Sequence, residues 1–280
     1  MTGTSNWRLR QRVGLSGGEV AYDVFGDGPP VILVHGTPSR SYIWRNVVPK
    51  LADRFTVYVF DLLGFGESER REGLNVSIAA QARLFAELVE SWGLEAPAVA
   101  GHDIGGGIVL RAHLVEGVKL SRIALVDAVV LRPWITPTTR HVKTHLDVYR
   151  AMPTASFEAI IAAHLRTASY YQMDEEAFVA YLDQWRGEIG QKIYLQKDAQ
   201  LDEEHTAEFE PLLRSMETPV HLLWGERDAW LDPTIAERLS DLLPNADLEL
   251  IPNAGHFSME DDPERVANAL ARFFNRDGST

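Results

Sequence analysis

At 280 residues and 45% hydrophobic, the chain can bury a full core, as one large domain or one domain carrying an insertion. Its 27 basic against 40 acidic residues leave a formal charge of −13, which argues against nucleic acid and anionic membrane surfaces as partners because both need a positive footprint. Cysteine is absent, so thiol catalysis, disulfides and thiolate metal sites are excluded.

The N-terminal stretch "MTGTSNWRLRQRVG" lacks the apolar core of a signal peptide, and no apolar run approaches the ~18 residues of a membrane span, so a soluble cytoplasmic protein is expected. "WRLRQRV" and "GEVAYDVFG" alternate like two half-exposed strands around a hairpin turn at "LSGG". The pattern then changes to short continuous apolar runs, "VILV" (31–34), "TVYVF" (56–60), "APAVA" (96–100), "RIALV" (122–126), "VHLLW" (220–224) and "DLELI" (247–251), as expected of strands buried on both faces. Amphipathic stretches such as 77–92 and 262–274 lie between or after them, predicting an α/β fold with a mostly parallel sheet flanked by helices. From about 131 to 217 the rhythm stops: the segment is rich in aromatic residues and helix formers and has no β-run. It predicts a helical cap at 131–217 inserted into a core of residues 1–130 and 218–280.

The stretch "AVAGHDIGGGIVLRAH" (98–113) runs from strand to helix through a glycine-rich turn with Asp103 at its centre. A Gly-x-nucleophile-x-Gly turn of this kind holds its central side chain exposed above the carboxyl ends of the strands, with helical N–H groups nearby for an oxyanion. The acid and base of such a site should follow in chain order on loops after later strands. Asp228 follows the strand at 220–224, and His256 follows the strand at 247–251. Asp232 reads instead as a helix cap before Pro233, and Asp127 as a secondary candidate acid. The backbone N–H groups of Thr37, after the first parallel strand, and of Ile104 are the expected oxyanion donors. His35 is expected to shape its loop, and His102 to pack under the turn. Ser16, central in "GLSGG", lies between polar strands with no helix after it and reads as a turn residue. His141 and His145 stand four apart but lack a nearby third ligand, so no metal site is expected.

These motifs, "HGTP" (35–38), "FDLLGFGES" (60–68), "GHDIGG" (101–106), "WGERDAW" (224–230) and "NAGHF" (253–257), resemble the α/β-hydrolase superfamily over nearly the whole chain. The resemblance is narrowest to its aspartate-nucleophile branch of epoxide hydrolases, haloalkane dehalogenases and haloacetate dehalogenases. A serine attacking saturated carbon would leave a stable ether. A carboxylate, ionised at neutral pH with a reference pKa of about 3.9, attacks without a base and leaves an ester that water can cleave. The resemblance therefore implies an alkyl ester on Asp103, hydrolysed by water that His256, oriented by Asp228, activates.

The families differ in what assists the leaving group. Epoxide hydrolases use a cap tyrosine pair, for which Tyr194 and Tyr149 are the candidates. Haloalkane dehalogenases usually place a Trp after the nucleophile and often an Asn after His-Gly, where this sequence has Ile104 and Thr37; Trp134 or Trp230 could donate from elsewhere. Haloacetate dehalogenases place arginines just after the nucleophile, at positions held here by Ile104 and Gly107. The expectation is epoxide hydrolysis to a diol, with haloalkane dehalogenation second and ester or lactone hydrolysis third. A hydrolase-like receptor is a further class, which the complete set of nucleophile, acid and base argues against. A small apolar substrate, water, no organic cofactor, and a monomer or homodimer complete the reading.

Overall fold

The computed structural model describes residues 7–275, so the first six residues of the N-terminal stretch lie outside it. Its eight strands are β1 (Gln11–Leu15), β2 (Gly18–Phe25), β3 (Pro30–Val34), β4 (Thr56–Phe60), β5 (Ala98–Asp103), β6 (Arg122–Ala128), β7 (Val220–Gly225) and β8 (Ala246–Ile251). Among them run α1 (Val48–Ala52), α2 (Ile78–Ser91), α3 (Ile104–Leu114), α10 (Thr234–Leu242), α11 (Ser258–Asp261) and α12 (Pro263–Phe274). Between β6 and β7 stand α4 (Pro137–Thr144), α5 (Leu146–Ala151), α6 (Thr154–Leu165), α7 (Glu175–Leu182), α8 (Gly187–Gln200) and α9 (Glu204–Ala207), with no strand among them.

The predicted parallel strands all form. The first strand starts later than expected because Trp7 and Arg10 are held by side chains rather than by a ladder: Trp7 stacks on Phe25 at 5.8 Å, and Arg10 Nε lies 2.7 Å from Asp23 Oδ2. The sheet order is β1-β2-β4-β3-β5-β6-β7-β8. β1 and β2 pair antiparallel and β2 joins β4 antiparallel, while the pairs from β4 through β8 are parallel. Parallel strands covered on both faces must be apolar throughout, and β5 and β7 are buried at every residue.

Chain order reverses at β3, which has β4 on one side and β5 on the other. In open parallel sheets the crevice beyond the strand ends at such a switch point takes the ligand, and here it receives the loop carrying Thr37 and the turn carrying Asp103. The helical segment is tied to that first loop: Gln184 Nε2 donates to the Pro38 and Ser39 carbonyls at 3.1 Å, and Trp185 Nε1 to Pro38 at 2.8 Å. On the other side, Phe257 N–H donates to the Ala168 carbonyl at 2.8 Å, beside His256.

Candidate active site

Asp103 ends β5 and caps α3 with φ +52 and ψ −126, a left-sided conformation that a non-glycine residue adopts only where its surroundings impose it. Close packing imposes it here. A Cβ on Gly105 would lie 2.6 Å from the His35 carbonyl oxygen, so only glycine lets α3 start this near β3.

The three predicted side chains meet. His256 Nδ1 lies 2.9 Å from Asp228 Oδ2, and its Nε2 lies 3.4 Å from Asp103 Oδ2. Asp228 is fixed through its other oxygen, which accepts from the N–H groups of Trp230 at 2.8 Å and Leu231 at 2.9 Å. The imidazole is fully buried between two carboxylates. Burial works against its charge, but Asp228 and Asp103 outweigh it and hold the His256 pKa up at about 10. Burial likewise works to raise the Asp103 pKa; the His256 ring and the Ile104 N–H prevail and hold it below the ordinary carboxylate value. Thr37 N–H donates to Asp103 Oδ1 at 2.7 Å, so both predicted backbone donors face this carboxylate.

The supporting histidines divide as expected from their places. His35 Nε2 accepts from Leu62 N–H at 2.9 Å, which leaves Nδ1 to donate to the Gly36 carbonyl, and burial lowers its pKa. His102 is buried, its Nε2 3.0 Å from the His256 carbonyl, so it props the loop that carries the base; burial and the neighbouring His256 push its pKa down to about 3. Asp127 does not touch His256. The β5–β6 register passes from His102↔Val126 to Asp103↔Ala128, leaving Asp127 at φ +44 with Oδ1 accepting from Gly225 N–H at 2.7 Å and Oδ2 2.5 Å from Ser258 Oγ. Burial, then the nearby Asp228 charge, raise its pKa well above the ordinary carboxylate value, and its two hydrogen bonds brace the start of the Asp228 loop. Asp232 accepts from Thr234 N–H at 2.9 Å at the start of α10, and Ser16 binds Glu87 on the surface.

A small cavity of about 40 Å³, counted by positions open to the centre of a water, adjoins Asp103; Trp134, His164, Tyr194, Lys197 and Trp230 also line it. One water needs ~10–15 Å³ on that basis, so the space takes a few waters or a substrate of few heavy atoms. Of the residues expected to act here, Tyr194, Trp134 and Trp230 line the cavity. Tyr149 is not among its lining residues: it sits on α5, a six-residue helix with no buried residue, and its ring packs edge-on against His141 at 6.1 Å. Tyr149 is half-buried and packs against the core, but it does not join Tyr194 among the lining residues. Trp134 and Trp230 do line the space, but their indole N–H groups are spent on Thr206 Oγ1 at 3.0 Å and Thr167 Oγ1 at 2.9 Å, so neither is a free donor.

Two residues that sequence reasoning missed stand beside them. His164 stacks on Trp230 with ring centres 4.2 Å apart; burial, then the charges of Lys197 and His256, bring its pKa down to about 4, so it is neutral at pH 7. Lys197 is buried, with its ammonium 3.9 Å from the centre of the Tyr194 ring and 2.9 Å from Thr37 Oγ1. A signal for it existed, since Lys197 follows Tyr194 by three positions on α8 and so shares its face.

The family model of the alpha/beta hydrolase fold matches residues 29–263, and the chain belongs to that family. It is an α/β-fold hydrolase. It is 32% identical over 276 residues to haloalkane dehalogenase 2 of Mycobacterium tuberculosis, covering 92% of both chains. An α/β hydrolase fold protein from Burkholderia ambifaria superposes with a TM-score of 0.91 at 33% identity, over 94% of this chain and 97% of that one. The 2-hydroxy-6-oxo-6-(2'-aminophenyl)hexa-2,4-dienoic acid hydrolase of Metapseudomonas resinovorans is 28% identical over 94% of this chain and 90% of its own. No helix among the described residues is long and apolar enough to cross a membrane.

Proposed function

We propose that the chain catalyses hydrolytic displacement at a saturated carbon, with Asp103 as nucleophile and a halide as leaving group. The observation that carries the reading is the ionised carboxylate on the strained turn, with Oδ1 on the Thr37 N–H and Oδ2 against the Asp228-backed His256. Oδ2 attacks the carbon and forms an alkyl ester. His256 then activates water, which attacks the ester carbonyl while the Thr37 and Ile104 N–H groups hold the oxyanion, and Asp103 returns with one oxygen from water. The helical segment 131–217 acts in this reading as a cap over the core of 1–130 and 218–280, since it supplies Tyr194, Lys197 and His164 to the cavity.

Halide is preferred to epoxide because Tyr149 is not among the residues lining the cavity, so no second tyrosine stands there beside Tyr194 for an opening epoxide, and because a relative of 32% identity is named a haloalkane dehalogenase. Epoxide opening is the second reading, favoured by the one tyrosine, Tyr194, that does line the space. Ester or lactone cleavage fits less well, because a carboxylate attacking an acyl carbon forms an anhydride rather than a stable intermediate ester.

The test pairs wild type, Asp103→Ala and His256→Gln against small bromoalkanes assayed for bromide and small epoxides assayed for diol. Bromide release by wild type, none by Asp103→Ala, and an intact-mass gain of one alkyl group on His256→Gln are the expected results. Diol without bromide would move the assignment to epoxides, and turnover by Asp103→Ala at the wild-type rate would remove Asp103 as nucleophile.

A further inference from the structure

We propose that Lys197 is the catalytic group that takes up the negative charge expelled when Asp103 attacks, a role resting on the reading of Asp103 as nucleophile. Displacement drives the bonding pair of the broken bond onto the departing atom. In a cavity with room for only a few waters that charge is met best by a donor or cation already in place, because little solvent can reorganise around it. The groups that line the cavity leave few candidates. Both indole N–H groups are committed to threonine hydroxyls, Tyr149 does not line the cavity, His164 is stacked on Trp230, and Tyr194 offers a neutral hydroxyl. Lys197 brings a cation, and although Asp198 offsets part of its charge at 2.7 Å, a charged N–H donor attracts an anion more strongly than a neutral hydroxyl can.

Its placement suits the task. Its ammonium donates to Thr37 Oγ1 at 2.9 Å, and the N–H of that same threonine holds Asp103 Oδ1. Asp198 Oδ1 lies 2.7 Å away as an ion pair but off the direction of a hydrogen bond. An ammonium has three N–H donors, and with Thr37 Oγ1 and Asp198 Oδ1 beside two of them one is left for an anion in the cavity that Lys197 lines. The step balances without moving a proton. A lone pair of Asp103 Oδ2 forms the carbon–oxygen bond, the carbon–halogen pair leaves as halide, and the halide accepts an N–H from Lys197. Water later supplies the oxygen of the hydrolysed ester, and its proton leaves through His256, giving alcohol, proton and halide overall.

The experiment measures bromide binding by tryptophan fluorescence at constant ionic strength, and the single-turnover burst of halide from 1-bromobutane and 1-chlorobutane, in wild type, Lys197→Met and Lys197→Arg. Lys197→Met should weaken bromide binding at least 10-fold and slow the burst by about 10²-fold, with the larger loss on chloride, the poorer leaving group; Lys197→Arg should recover part of both. Equal losses on the two substrates with unchanged bromide affinity would show a merely structural lysine and overturn the proposal. So would Lys197-dependent binding of propionate in the absence of bromide binding, which would make Lys197 an anchor for a substrate carboxylate. Bromide binding by Asp103→Ala separates the two ideas, because it needs Lys197 and not the nucleophile.

Discussion

His256 serves two steps with opposite demands. In the resting site it is held as an imidazolium, its pKa lifted to about 10 by Asp228 and Asp103 against the opposing effect of burial. Attack by Asp103 asks nothing of that proton. Ester hydrolysis does, because only the neutral ring can accept a proton from water. Alkylation itself provides the change: it turns Asp103 from an anion into a neutral ester, removes one of the two carboxylates that raise the pKa, and leaves burial to pull it down. The sign follows directly. Rapid-quench measurements should find ester formation flat between about pH 6 and 9, while ester hydrolysis rises with pH along an apparent pKa clearly below the resting value of about 10. A hydrolysis step that falls as pH rises would contradict a base role for His256.

At the scale of elements, the strand-to-helix turn depends on the contact between α3 and the loop after β3. Replacing Gly105 by alanine gains helix propensity of about 1 kcal/mol, yet the new Cβ would meet the backbone carbonyls of His35 at 2.6 Å and Val34 at 2.7 Å. Backbone cannot rotate aside as a side chain can, so overpacking wins. Gly105→Ala should lose about 1–3 kcal/mol of stability in urea melts and reduce turnover more than its stability loss explains, because the Thr37 loop has to move. Turnover and stability both at wild-type level would show that the turn has slack. The same contrast explains what the sequence made legible. The buried strands and the turn were readable because apolar runs and glycines are local signatures, and the order of Asp103, Asp228 and His256 follows from the strands that carry them. The direction in which Tyr149 turns was not legible, because α5 carries no buried residue to fix one face. Lys197 was passed over because lysine ordinarily reads as surface, and only the packing of α8 over Thr37 makes it internal.

For the whole molecule, the question is whether the helical segment between β6 and β7 behaves as a separate unit. Its interruption of the strand rhythm suggests one, but the packing does not. A single hydrophobic cluster runs from sheet residues such as Val31 and Leu222 through Ile104 to Phe157, Tyr181 and Trp185 of the helical segment. Polar ties cross the same boundary: Arg45 and Tyr181 share Glu260, and Asp261 accepts the N–H groups of Tyr170 at 2.8 Å and Tyr171 at 2.9 Å. Each tie broken by partial unfolding would forfeit about 0.5–1.5 kcal/mol net, while the helices would lose the apolar surface they cover. Partial unfolding is therefore disfavoured relative to losing the whole structure together. Calorimetry should show one transition whose van't Hoff and calorimetric enthalpies agree, coincident with near-UV and far-UV circular dichroism. Two separated transitions, with bromide binding lost in the first, would instead mean that the helices melt off the sheet and that the cavity exists only while they are docked.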